Sequence, residues 1–365
     1  MFKTISFYQY TSLADPALLR DSLRQICEER SILGRILIGT EGINGAVSGK
    51  EEVIEEFKTI LLNHYRGLTF REQPVNKNSY HKLVVRIRKE ICVFGKEVNL
   101  KNTGHHLPAK ELERWYEKGK RFTIVDARND YEFEAGHFKN AVKLPIKNFR
   151  EFADVAPAVL KDKKEETIVL YCTGGVRCEK ASAYLNKQGF SDVHQVDGGI
   201  ISYLHNFSSN WEGGLFVFDD RLVDEGTSPL NKCSFCKKKK TDHYSNCHNL
   251  DCDRLFIACS ACLEKMNRTC SEACQAAPRQ RSLEKEEQQK EMIGKVINYY
   301  PKAHVACIQL HPELQDKTLS RKELSFKGKT THFSQVIEEV RIDDEGMVTF
   351  PVKEKVRKND LVLKA

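Results

Sequence analysis

The residues best equipped for chemistry are cysteines. Thirteen stand among 365 residues, and ten of them fall into two patterns. The first is a close pair, Cys172 and Cys178, within YCTGGVRCEK at residues 171–180. A β-branched and apolar run at 167–171 leads in, and a helix-like run at 179–188 leads out, which reads as strand, tight glycine loop, helix. Cys172 then sits at the strand end, and Arg177 and Cys178 sit where the helix begins. Backbone N–H groups and the positive end of the helix dipole stabilise a thiolate or persulfide anion there, so the thiol pKa should fall. Gly174 and Gly175 allow the backbone to curl around the sulfur without a Cβ clash. Taken alone, CTGG favours a buried structural cysteine beside a turn; the surroundings decide otherwise.

The second pattern is four pairs: Cys233-x2-Cys236, Cys247-x4-Cys252, Cys259-x2-Cys262 and Cys270-x3-Cys274. These spacings suit two tetrahedral four-thiolate zinc sites. So many thiols in a stretch with few apolar residues need something besides a core to hold the fold. Closed four-cysteine sites leave no open coordination position, so the zinc is expected to be structural. Spacing does not say which four cysteines share a metal; a cross-braced arrangement would put Cys233, Cys236, Cys259 and Cys262 on one ion. His243 and His248 are not needed as ligands. The lysine run 237–240 is expected to be a solvated turn.

The elements that must position these groups come next. The length suits two to four domains, and 40% hydrophobic residues suffice for real cores. A net charge of +7 is compatible with a nucleic-acid partner without requiring one. The first residues lack a charged segment followed by an apolar run, and no apolar stretch approaches membrane length. The expected compartment is a reducing cytoplasm, where paired cysteines bind metal or react rather than form disulfides.

Residues 1–95 read as βαββαβ, a ferredoxin-like α/β sandwich. Asp15 caps its first helix, and paired strands flank a turn at EGIN. GTEGINGAVSG resembles a phosphate-binding turn only weakly; Glu41 and Asn44 leave a minority case for a site. In HKLVVRIRKE, Leu83, Val85 and Ile87 alternate with Lys82, Arg86 and Arg88, so one face packs and the other is basic. That is either a charged edge strand or an RNA-facing stripe. Residues 96–115, with His105 and His106, read as a connection or helix start. Residues 109–210 alternate short strands with helices, implying a parallel sheet covered on both faces, with Cys172 at the carboxyl edge of a strand. Asp126 and Arg128 are expected to brace the loop as an ion pair; His137 either touches substrate or is bonded within the framework. Residues 211–232 read as a crossing segment, 233–275 as the cysteine-rich zinc module and 275–291 as a polar linker. Residues 292–365 read as a small β-barrel, with turn signals at Asp343, Asp344 and Gly346.

Three pieces in order carry a resemblance. TIVDARNDYEFEAGHFKNAVKLP supplies Asp126, Arg128, Glu132, Gly136, His137 and Ala141. The cysteine loop follows, and then GFSDVHQVDGGI. Together they look like a rhodanese domain, whose loop cysteine carries sulfur as a persulfide; Cys172 matches that position and Arg177 the loop arginine. Cys178 stands where common single-domain rhodaneses have serine. With the N-terminal unit and the cysteine-rich tail, residues 1–275 resemble the rhodanese-containing tRNA uridine-34 hydroxylase family. The C-terminal stretch loosely resembles the barrel of collagenase-type peptidase-like proteins. The resemblance implies hydroxylation of the wobble uridine to 5-hydroxyuridine with dioxygen as co-substrate and the tRNA anticodon arm as partner. Cys172, Arg177 and Cys178 would be catalytic, and Lys82, Arg86 and Arg88 are candidates for RNA contact. No organic cofactor, membrane association or obligate protein partner is evident. A cytosolic sulfurtransferase is the alternative, and a zinc-dependent scaffold a third reading that an intact Cys172 disfavours.

Overall fold

The computed structural model describes all residues except 220, 225–228, 242, 253, 282–291, 302, 311–321, 329–330, 343–346 and 365. It divides into two compact units, Met1–Ala277 and Pro278–Ala365.

The first unit opens with β1 (Phe2–Tyr10), α1 (Pro16–Glu29), β2 (Leu33–Gly39), β3 (Gly42–Lys50), α2 (Glu51–His64), β4 (Phe70–Val75) and β5 (Leu83–Ile87). Asp15 caps α1 by accepting the N–H groups of Ala17 and Leu18, and Pro16 fills the first helical position, where a missing N–H costs nothing. The strands form one sheet in the order β4-β1-β3-β2-β5. Alternation in β1 and β2 sends Ile5, Phe7, Ile36 and Ile38 to one face, where they meet Leu23 and Cys27 of α1 and Ile54, Phe57 and Leu61 of α2. Ser6, Tyr8, Arg35 and Leu37 therefore point to the helix-free face. The β2–β3 turn is tighter than EGIN suggests, because Gly42 and Asn44 already belong to the ladder. Gly42 has φ +138°, and a Cβ there would lie 2.0 Å from the Gln9 carbonyl oxygen, so close backbone approach accounts for this glycine. Strand β5 ends at Ile87, which is 40% exposed.

The central elements are β6 (His105–Leu107), α3 (Ala109–Glu117), β7 (Thr123–Asp126), α4 (Asp130–Ala135), β8 (Gly136–Phe138), α5 (Phe152–Val159), β9 (Thr167–Tyr171), α6 (Val176–Lys187), β10 (Asp192–Val196) and α7 (Gly199–Leu204). Strands β6-β10-β9-β7 form the expected parallel sheet. In β9, Ile168 and Leu170 pack with α5 and α6, while Val169 and Tyr171 pack with α3 and α7, so both faces are covered. Helix α6 begins at Val176, three residues before the helix-like run at 179–188, with Arg177 and Cys178 in its first turn as expected. Two readings change here. His105 and His106 form the edge strand β6 rather than a connection. The supposed crossing segment opens with β11 (Trp211–Gly213), paired to β8, and Trp211, Leu215 and Val217 complete the core.

A short hairpin, β12 (Leu215–Phe216) and β13 (Val223–Asp224), leads to the cysteine-rich part: β14 (Tyr244–Asn246), β15 (Leu255–Ile257), α8 (Ser260–Lys265) and α9 (Glu272–Gln275). The second unit contains β16 (Met292–Tyr300), β17 (Val305–Leu310), β18 (Lys322–Lys327), β19 (His332–Ile337), β20 (Arg341–Ile342), β21 (Val348–Pro351) and β22 (Leu361–Lys364). They form a seven-stranded sheet, β19-β18-β22-β16-β17-β21-β20, curled into a half-barrel around Val296, Ile308, Phe326, Phe350 and Val362. Across the curl, the Gln335 amide donates to the Pro351 carbonyl (2.9 Å) and accepts the Lys353 N–H (2.8 Å). Asp343, Asp344 and Gly346 lie outside the described residues. Among the described residues no helix is long and apolar enough to cross a membrane.

Candidate active site

Cys172 follows β9 directly and is fully buried. Gly175, at φ +102°, turns the chain into α6 and points its N–H at the Cys172 sulfur, 3.2 Å away. Burial opposes ionisation of this thiol. The Cys178 thiol, the Arg177 charge and the N–H groups of Arg177 and Cys178 outweigh it and bring the pKa down to about 6. Cys178 moves the other way: burial and the neighbouring sulfur push its pKa well up. One thiol of the pair is thus held ionised and the other protonated.

Arg177 does not reach into the cleft as a free fork. Its guanidinium makes a bidentate pair with the buried Glu132 carboxylate, at 2.7 and 2.8 Å, and donates to Thr173 Oγ1 at 3.1 Å. Glu132 also accepts the Asn129 N–H, closing a capping box at the start of α4. The expected Asp126–Arg128 ion pair forms at 2.6 Å, fully buried. The Arg128 Nη2 that meets Asp126 also donates to the Gly136 carbonyl, so that pair ties β7 to β8, and Glu132 is what braces the loop. His137 stacks on Phe133 and bonds its carbonyl oxygen at 3.0 Å, within the framework.

The helix-free face of the N-terminal sheet closes over this loop. A cavity of about 370 Å³ lies between them, with Ser6, Tyr8, Arg71, Arg88 and Cys92 on one side and Cys172, Gly174 and Arg177 on the other. A second cavity of about 380 Å³ shares the wall of Arg35, Tyr80 and Phe218 and extends past Lys82 toward Asn246 and Leu255. Lys82 and Arg88 therefore border the cleft, whereas Arg86 lines neither cavity. None of the three, nor Arg35, has an acidic partner within ion-pair distance among the described residues.

Side chains of α6 fasten the two layers. Lys180, 3% exposed, reaches Glu41 at 2.9 Å, Glu90 at 2.8 Å and the Cys92 carbonyl at 3.0 Å. Tyr8 donates to Glu179 at 2.9 Å and Tyr10 to the Val176 carbonyl at 3.2 Å. Glu41 also accepts the Ile91 N–H, and Asn44 donates to the Ile91 carbonyl, so these two polar residues of the β2–β3 region hold residues 88–95 in place. Cys92, Arg71, Ser6, Glu132 and Lys180 went unread as site residues in the sequence, because each acquires its meaning from a partner far away in the chain.

The eight remaining candidate cysteines gather as the spacing suggests. Cys233, Cys236, Cys259 and Cys262 form one group and Cys247, Cys252, Cys270 and Cys274 the other, each with its sulfurs within 4.8 Å of one another and no histidine included. The Cys252–Cys270 and Cys270–Cys274 sulfur separations are both 3.7 Å. A tetrahedral ion with Zn–S of about 2.3 Å needs ligands about 3.8 Å apart, which the two separations in the second group match; the first group is compatible with such an ion.

Residues 2–91 match the family profile described as UPF0176 acylphosphatase like domain, 108–206 the rhodanese-like domain and 212–275 the rhodanase C-terminal domain. A tRNA uridine(34) hydroxylase from Wigglesworthia glossinidia brevipalpis is 40% identical over 286 residues, covering 74% of this chain and 90% of the relative. Another, from Chlamydia felis, is 36% identical over 294 residues, covering 77% and 89%. Among solved structures, a rhodanese-like domain protein from Staphylococcus aureus matches 30% of this chain and 97% of its own, at 29% identity and TM-score 0.25. The C-terminal domain of a putative U32 peptidase from Geobacillus thermoleovorans matches 21% and 93%, at 25% identity and TM-score 0.18. Identity at this level across nearly the whole length of the relatives settles the assignment: the chain belongs to the tRNA uridine(34) hydroxylase family.

Proposed function

We propose that the chain hydroxylates uridine 34 of tRNA, and that the reaction takes place at C5 of the base in the cleft over Cys172. The observation that carries the site is an ionised, fully buried thiol opening onto a cavity whose facing wall bears arginines and aromatic rings. An anionic substrate suits that wall, and a base must leave its stack to reach a sulfur this deep.

The Cys172 thiolate adds to C6 of the uracil, and the electron pair of the C5–C6 double bond moves toward C5 and O4. C5 then takes one oxygen atom from dioxygen, and the other leaves as water with two electrons from a reductant. Loss of the C5 proton and departure of the thiolate restore the ring as 5-hydroxyuridine. Cys178 donates to the sulfur and Arg177 supplies a fixed positive charge behind it, so the two positioning groups favour the thiolate both before addition and on departure. Lys82, Arg86 and Arg88 contact phosphates of the anticodon arm. The same loop would serve a sulfurtransferase, but the relatives' shared name favours hydroxylation.

The two cysteine groups hold one structural zinc ion each, which when bound supplies the cross-links that a small core lacks. Strand order and the two helices on one face support a ferredoxin-like N-terminal sandwich, and the Gln335 contacts support a small C-terminal barrel. The domain boundaries 1–95, 109–210, 233–275 and 292–365 fit this reading, with β6 added ahead of the second. A tRNA substrate suits a cytoplasmic enzyme.

Nucleoside mass spectrometry of tRNA incubated with the protein, in air and without oxygen, tests the reaction. The expected result is 5-hydroxyuridine that requires oxygen and disappears with Cys172→Ala. Undiminished product from that variant would remove the loop from the chemistry.

A further inference from the structure

The cleft over Cys172 contains two polar groups that the fold leaves unused. Ser6 of β1 and Arg71 of β4 are direct cross-strand partners on the helix-free face, and both line the cavity. Arg71 is only 9% exposed. Its Nη1 is buried with no hydrogen-bond partner, and the Ser6 hydroxyl is orphaned in the same way. No carboxylate lies within ion-pair distance of Arg71 among the described residues. Asp197, which feels its charge, is engaged by His106 at 3.4 Å. The guanidinium rests on the Tyr8 ring, 4.9 Å from its centre, and Tyr8 is itself held by Glu179. Ser6 lies against the cysteine loop: its Oγ is 3.9 Å from where a Cβ on Gly174 would be.

Buried donors are normally satisfied, and a charged one left bare is costly. A guanidinium, which only donates, beside a hydroxyl, which also accepts, suits a ligand that offers an acceptor and a donor on one edge. Uracil offers O4 as acceptor and N3–H as donor. Cytosine reverses both, with an amine at C4 and a lone pair at N3. Arginine has only donors, whereas a serine hydroxyl can accept. We propose that Arg71 and Ser6 read the Watson–Crick edge of the target base, Arg71 donating to O4 and Ser6 accepting N3–H. The assignment rests on the hydroxylase reading and extends it to how uridine is chosen. The contact also has a catalytic consequence. Addition at C6 places negative charge on O4, where a fixed guanidinium stabilises it.

The test is a binding cycle with anticodon stem–loops in the Cys172→Ala background, where no chemistry intervenes. Position 34 carries uridine, 2-pyrimidinone riboside (which lacks O4) or 3-methyluridine (which lacks the N3 proton). With Arg71 and Ser6 present, either deletion should weaken binding roughly 10–100-fold for the charged contact and less for the hydroxyl. Arg71→Met, which keeps much of the packed stem, should bind uridine more weakly and be indifferent to the loss of O4. Ser6→Ala, a conservative change that guards against a folding defect at Arg71, should be indifferent to N3 methylation. Turnover on uridine-34 tRNA is measured alongside with Cys172 restored. If tRNA is hydroxylated yet the O4 and N3 penalties are the same with and without these side chains, the recognition assignment fails alone. If wild-type protein forms no hydroxylated uridine, the hydroxylase reading fails and the assignment falls with it.

Discussion

At the scale of single residues, reactivity here is a matter of which of two sulfurs keeps its proton. Cys172 ionises at about 6 and Cys178 far above its ordinary value, although both are buried beside the same helix start. The difference is geometric: N–H groups and a thiol proton converge on one sulfur only. The sign of the pH effect follows. A thiol lowered from 9.0 to about 6 is protonated below that value and a thiolate above it, so the rate of iodoacetamide modification at Cys172, read by peptide mass spectrometry, should climb through pH 6 and level off well below pH 9. A rise centred near pH 9 would mean that the helix start does not act on this sulfur. The identity of the sulfur was legible in the sequence because the loop, the helix start and the second cysteine are neighbours in the chain. The Arg177–Glu132 pair was not, although Glu132 stood in a quoted motif, because nothing local says that a capping carboxylate also reaches 45 positions ahead.

At the scale of elements, the basic strand divides. The sequence presents Lys82, Arg86 and Arg88 as one stripe, but β5 is an edge strand, and of these three only Lys82 and Arg88, which flank it, border the cavities. Filter-binding titrations of tRNA at several salt concentrations should therefore show Lys82→Ala and Arg88→Ala weakening affinity, each reducing the salt slope by about one ion, with Arg86→Ala having a smaller effect. Equal effects from all three would favour a flat RNA-binding face over a cleft. Long periodic helices and the parallel sheet were readable because apolar spacing repeats along them. Strand β6 was not, since three residues hold too little alternation to register and its pairing with β10 is remote in sequence. That the cysteines bind metal in pairs was readable from their spacing, but which pairs share an ion was not, because the matching is decided by contacts remote in the chain; the structure joins the cross-braced sets.

At the scale of the molecule, neither layer of the first unit makes the site alone: the central sheet provides the thiolate, and the N-terminal sheet provides most of the wall it faces. The cysteine-rich part lines the second, adjoining cavity through Asn246 and Leu255, so its metal should matter to substrate as well as to folding. Elemental analysis should return two zinc ions per chain. Stripping them with a strong chelator should raise hydrogen exchange across residues 233–275 while leaving β9 and α6 protected; well under one zinc per chain would retire the metal assignment. Lys180 carries a further consequence for how such a protein changes over time. One buried ammonium answers two carboxylates that arrive from different parts of the N-terminal layer, so losing either acid leaves a matched pair, whereas losing the lysine leaves two acids without their cation. Across an alignment of relatives, either acid should therefore vary alone while the lysine stays, and lineages that lose the lysine should have neutralised both acids.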